Sequence, residues 1–207
     1  MQTKRAARGR PRGERTPSTR DALLDATQAI MLDEGYAAVS TRRVATRAGT
    51  DKALVHYYFE TMDDLFVAVF RRNAEHGAQR LGDALASPQP LWAVWDAMHD
   101  QSSTVLMTEF IALANHRDAV KTVMVENSRK FRRLQLEGLT HVLESYGLDP
   151  KEWPPAAVIV LLSGISRYLK TDEAFGVGLG HDETVDLVER HIRALEGPRK
   201  RNTRRSK

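Results

Sequence analysis

The chain contains no cysteine, which excludes disulfides, thiolate metal ligands and a cysteine nucleophile together. Long apolar runs are also missing. The longest, Ala156 to Leu162, is far too short to cross a bilayer, and no apolar stretch follows the basic N-terminus to make a secretion signal. Alternating strand patterns are nearly absent. There is no His-Glu-x-x-His, P-loop or nucleophile elbow, and the seven histidines are dispersed. These absences predict an all-α cytoplasmic protein that is not an enzyme, avoids membranes and holds neither metal nor cofactor. With 207 residues, 42% of them hydrophobic, the chain can build a sizeable core in one or two domains.

Charge is plentiful but unevenly placed. Thirteen of the 31 basic residues fall in residues 1–20 and 198–207, where Glu14 is the lone acid. The body between them is acidic, with 26 acidic against 18 basic groups, behind a formal net charge of +4. Basic ends on an acidic body suit a polyanion, and nucleic acid is the usual one. For the C-terminal run, a tail kept for solubility is the alternative.

Helical spacing recurs along the whole chain. Leu23, Ala26, Ile30 and Met31 predict a first helix from Thr19 to Glu34, stopped by Gly35. A short helix from Ser40 or Thr41 ends before Gly49, and a third covers Lys52 to Tyr58. Thr61-Met62-Asp63-Asp64 opens a longer helix through Leu65 and Val69 towards Leu81. Ser87-Pro88-Gln89-Pro90 then breaks the pattern. Helical stretches follow near Leu91–Asp100, Ser103–Asn115, Asp118–Tyr146, Pro155–Thr171 and Asp182–Leu195. Gly176, Gly178 and Gly180 follow no strand, so they read as a flexible connection rather than a phosphate loop.

The segment Val44-Ala45-Thr46-Arg47-Ala48-Gly49-Thr50-Asp51 suits a helix-turn-helix. Ala45 lets two helices cross closely, and Gly49 tolerates the left-handed backbone of a sharp turn. Asp51 can cap the next helix. Val44, Ala48, Val55 and Tyr58 fall where apolar side chains would join the pair to a small bundle. The longer run from Thr50 to Phe66 resembles the TetR family of bacterial transcriptional regulators. That signature reads Ala-Gly-Val-Ser-x-Gly-x-Leu-Tyr-x-His-Phe-x-x-Lys-x-x-Leu. Ala48, Gly49, Val55, Phe59 and Leu65 fall on its small and apolar positions, with His or aromatic residues at 56, 57 and 58. Met62 replaces a Lys that often touches phosphate, Asp51 replaces a Ser, and His56 and Tyr58 exchange the family's Tyr and His.

The likeness covers residues 18–78. It implies about nine helices in four regions: a basic arm (1–17), a DNA-binding domain (18–78), a ligand-binding and dimerisation domain (79–197), and a basic tail (198–207). It further implies a dimeric repressor on an inverted-repeat operator in double-stranded DNA. The third helix would enter the major groove while the second crosses the backbone above it. Ser40, Thr41, Arg43, Thr50, Lys52, Ala53, His56, Tyr57 and Tyr58 would form the contact surface. Of these, Thr41, Lys52, His56 and Tyr57 would hold phosphates and set the register. Arg42 is the expected base reader, because Arg pairs bidentately with guanine. Arg8-Gly9-Arg10-Pro11 looks like the core of an AT-hook, which would place Arg8 and Arg10 in an A·T minor groove. Non-specific electrostatic affinity is the alternative.

Pro155 to Leu169 is apolar on nearly every face, which predicts a helix buried all round, in a core or against a partner. Ser163-Gly164 would admit another helix closely. By resemblance, this helix and the last one, with Val185, Val188, Ile192 and Leu195, pair with their symmetry mates in a homodimer. The helices between would wall a pocket for a small effector. Trp92, Trp95, Met98, Met107, Phe110, Met124 and Phe131 supply apolar surface, and His99, Asn127 and Gln135 supply polar groups. Such walls suit a lipophilic ligand, although the same residues also suit a plain core. Induction and corepression fit the sequence equally. The rival readings are a DNA-organising protein without a ligand and a ligand-insensitive member with a filled core.

Overall fold

The computed structural model describes residues 18–98 and 101–200, with backbone only at 101–103. Among the described residues there are nine α-helices and no strand. α1 (Thr19–Glu34) starts where the Ser18 hydroxyl accepts the Asp21 N–H, satisfying a donor that the first helical turn leaves free. Its Leu23, Leu24, Thr27, Ile30 and Met31 bury one face. A 3-10 turn over Tyr36–Ala38 leads to α2 (Thr41–Ala48), α3 (Lys52–Tyr58) and α4 (Met62–Leu85). A reciprocal cap starts α4. The Thr61 hydroxyl accepts the Asp64 N–H at 3.1 Å, and the Asp64 carboxylate accepts the Thr61 N–H at 2.9 Å. α4 runs past Leu81, so the sequence boundary at residue 78 falls inside a helix shared by both halves.

α5 (Pro90–Met98), α6 (Gln101–Ala114), α7 (Asp118–Ser145), α8 (Pro155–Ala174) and α9 (His181–Glu196) follow the five predicted stretches to within a few residues. None of the described helices is long and apolar enough to cross a membrane. One core joins α1–α4 to Leu106, Phe110 and Leu113 of α6 and Val120 of α7. A second gathers Leu91, Trp92 and Trp95 of α5 with Leu139, Val142 and Leu143 of α7, Ile159 of α8 and Ile192 of α9. A third, smaller cluster centres on Leu81, Ala84 and Val94.

One expectation is corrected. Tyr58 does not join the bundle; it is half-exposed, and Phe59 is the buried residue at the end of α3. Period alone puts both positions near the face of Val55, and it is Phe59, at the extended end of α3, that takes the core position. Within one chain α8 buries one face, and burial of the other against a partner stays an expectation. Ile159, Ser166 and Leu169 face inward, while Val160, Leu161 and Tyr168 stay 59%, 62% and 64% exposed. Within one chain Gly164 faces open space, and a close helix approach occurs at Gly138 of α7. A Cβ there would lie 2.3 Å from Cδ1 of Leu85 in α4.

The start of α5 is capped from the far end of the chain. Glu196 accepts the Leu91 N–H at 2.7 Å and the Trp92 N–H at 3.0 Å. Tyr146 donates its hydroxyl to the same carboxylate at 2.7 Å, and the Trp92 indole donates to the Gly197 carbonyl. Burial and this bond push the Tyr146 phenol up to about 12.

Candidate nucleic-acid interface

The α2–α3 corner follows from local chemistry. Ser40 is extended and its hydroxyl accepts the Arg43 N–H, which starts α2. Gly49 stops it at φ 66° and ψ 33°, the left-handed region that favours glycine. The Thr50 N–H then returns to the Ala45 carbonyl at 3.0 Å, satisfying a carbonyl the helix end leaves free. Asp51 turns its carboxylate onto the Ala53 N–H at 2.7 Å. That acid is therefore engaged in capping α3 rather than presented to an approaching anion.

Helical period sorts α3 into two faces. Val55 (2% exposed) and the flanking Phe59 (5%) point into the first core, and Arg20 of α1 lies over the Phe59 ring at 5.5 Å. Lys52, Ala53, His56 and Tyr57 face outward, and Tyr57 is 78% exposed. Tyr57 and Tyr58 meet edge to face at 5.1 Å between ring centres, which braces the outward tyrosine. This short helix thus offers a cation, an imidazole and a phenol on one exposed strip, backed by a rigid core.

α2 lies beside it. Val44 and Ala45 are buried, Arg42 and Thr46 are exposed, and Thr41 and Thr50 are half-buried. The Thr41 hydroxyl donates to the Met62 sulfur at 3.6 Å, so the methionine at the family's lysine position packs against α2. Arg42, Arg43, Thr46 and Arg47 line an open groove of about 540 Å³ together with Ile30. Arg43 is ion-paired to Glu34, and Arg47 to Asp33 at 2.6 Å. The hydrogen bond from Arg43 holds the Glu34 carboxyl below the ordinary carboxylate range and raises the Arg43 guanidinium above its own. Nothing in the one-dimensional pattern marked these pairs, because partners nine and fourteen residues apart meet only once α1 and α2 cross.

The expected effector-contacting residues do not converge in the same way. Phe110, 1% exposed, packs edge to face on Phe70 in the first core, with Met124 at its margin. Trp95 is buried in the second core, and Met98 and Phe131 flank the third cluster. Asn127 donates to the Val123 carbonyl of its own helix, and Met107 is exposed. His99, Arg8 and Arg10 lie outside the described residues, as do the arm over 1–17 and residues 201–207 of the tail.

A family model described as "Bacterial regulatory proteins, tetR family" matches residues 23–69. The chain is 36% identical over 189 residues to HTH-type transcriptional regulator BetI of Rhizobium meliloti, a match covering 86% of this chain and 91% of that protein. It is 33% identical over 84 residues to HTH-type transcriptional activator FasR of Mycolicibacterium smegmatis. That match covers 40% of this chain and 38% of the relative, so it spans well under half of the relative's length. Among solved structures, reduced NemR of E. coli shares the fold with a TM-score of 0.68 at 16% identity, over 86% of this chain and 97% of that one.

Proposed function

The chain belongs to the TetR family of bacterial regulatory proteins, a DNA-binding transcriptional regulator by that membership, and from it we propose a dimeric repressor of an inverted-repeat operator, released by a small lipophilic effector. One observation carries the DNA half of this reading. α3 holds Lys52, His56 and Tyr57 on a single exposed strip while Val55 and Phe59 anchor its other face. A rigid helix with outward donors is what major-groove docking requires. Lys52, His56, Tyr57 and Thr41 hold phosphates, Arg42 reads a base, and Ser40, Thr50, Ala53 and Tyr58 complete the contact surface. The N-terminal arm adds Arg8 and Arg10 in the flanking minor groove.

Dimerisation is supported by the apolar side chains that α8 leaves uncovered in one chain, Val160, Leu161 and Tyr168, and by Leu187 of α9. Exposed apolar surface of this kind marks an interface. A two-fold pair then places two copies of α3 on one face of the duplex. Effector binding acts by favouring a separation of the two recognition helices that no longer matches the half-sites. α4, common to both halves, transmits it. The apolar composition of α5–α7 supports a lipophilic effector, and the protein works in the cytoplasm.

The test is selection of bound sequences from random duplex DNA with the full chain, followed by screening metabolites for release. A short inverted repeat and a releasing apolar metabolite are expected. Uniform coating of A·T-rich DNA would replace this reading with that of a DNA organiser. A reporter under the selected operator reads the sign, since FasR is an activator by name.

A further inference from the structure

α2 carries three arginines in one groove, and they are not equivalent. Arg43 and Arg47 are one helical turn apart, facing the last turn of α1, where Glu34 and Asp33 meet them. Arg42 is exposed and, unlike those two, makes no hydrogen bond or ion pair among the described residues. Both pairs are open to water, with side chains 41% to 54% exposed. Exposed pairs of this sort add little to folding. Their effect on an approaching polyanion is larger, because each carboxylate occupies a guanidinium and also repels phosphate beside the reading surface.

We propose that Asp33 and Glu34 are internal counter-ions that withhold Arg43 and Arg47 from DNA phosphate, so that non-specific affinity is suppressed and Arg42 is left as the groove's free guanidinium. This rests on the DNA-binding face assigned above. It makes the two acids determinants of specificity. A duplex that engages only phosphates gains nothing from the held arginines. An operator presenting a base to Arg42 keeps its full contact.

The experiment measures binding of the full chain to random-sequence duplex across a salt series, for wild type, Glu34→Gln, Asp33→Asn, Arg43→Gln and the Glu34→Gln/Arg43→Gln double variant. Each freed arginine should steepen the log affinity against log salt slope by about 0.9. That is an extra loss of about 3.5-fold between roughly 50 and 200 mM salt. Arg43→Gln alone should leave the slope as in wild type, and in the Glu34→Gln background it should cancel the gain. Asp33→Asn reads the second pair independently, and thermal melts should stay close to wild type for every variant. An unchanged slope in both acid variants overturns the proposal. So does a gain that survives Arg43→Gln, which would be general charge repulsion, or a slope lowered by Arg43→Gln alone, which would mean that Arg43 already holds phosphate. If wild type shows no salt-dependent binding to any duplex, the DNA-face reading itself fails, a separate outcome.

Discussion

The carboxylate of Glu109 in α6 accepts the backbone N–H of Tyr36 at 2.7 Å, joining positions 73 residues apart. Tyr36 begins the 3-10 turn between α1 and α2, and Gly35 before it holds the positive φ of 83° that the turn requires. A helix of the second half thus holds the connection that sets how α2 leaves α1. A charged acceptor on a part-buried N–H contributes about 1.5–3 kcal/mol. Glu109→Ala should lower the unfolding free energy by that amount in urea titration, and Glu109→Gln by less because its amide oxygen still accepts. Equal stability of wild type and the alanine variant would show that the bond holds nothing.

Arg42→Ala should cost about 1–3 kcal/mol of preference for operator over random duplex. Its salt slope should fall by no more than about 0.9. Competition binding separates the two effects. Retained preference would move base reading onto α3 alone.

Leu161→Glu and Tyr168→Glu place a charge on the face of α8 that one chain leaves bare. Sedimentation should show monomers at concentrations where wild type is dimeric. Operator affinity should fall by about 10²–10⁴ as the two half-sites bind independently. Dimers of unchanged affinity would rule this face out.

Gly138→Ala and Gly77→Ala should have opposite signs. At 138 the new methyl would stand 2.3 Å from Leu85 Cδ1 and 3.1 Å from Cδ2. Leu85 must leave its rotamer, at about 1–3 kcal/mol, which outweighs the roughly 0.5–1 kcal/mol gained in helix propensity. At 77 the nearest atom is 4.0 Å away, so the propensity gain stands alone. Thermal melts that move in the same direction would refute the close approach of α4 and α7.

Tyr146 should titrate late. Burial and the bond to Glu196 raise its folded value to about 12, above the ordinary 10.0, so the stabilisation tied to its neutral form is complete below about pH 10. It fades as pH rises through about 12 and leaves neutral-pH stability unaffected. Tyrosinate absorbance should show a step near 12 that Tyr146→Phe removes. A titration near 10 for every tyrosine would contradict the buried bond.

Much of the fold was legible before any coordinate. The end of α1 followed from Gly35, and the ends of α2 and the start of α3 from Ser40, Gly49 and Asp51, whose bonds reach no further than a turn. The outward placement of Lys52 and His56 was implied by the family resemblance, and the burial of Val55 on the other face agrees with it. Tyr58 was misread because an aromatic residue satisfies an apolar pattern whether it packs inward or stands at the surface. The large residues of α5–α7 formed one imagined lining, yet Trp95 and Phe110 belong to different cores.

The sequence by itself determined that this is an all-helical chain with a helix-turn-helix near its N-terminus, because period, caps and a left-handed glycine act between near neighbours. Tertiary structure alone decided which arginine of α2 is free, which face of α8 lies bare in one chain, and where a side chain at 138 would meet Leu85. Those outcomes depend on how whole helices cross. Crossing is set by the summed packing of residues far apart in the chain, which no local pattern encodes.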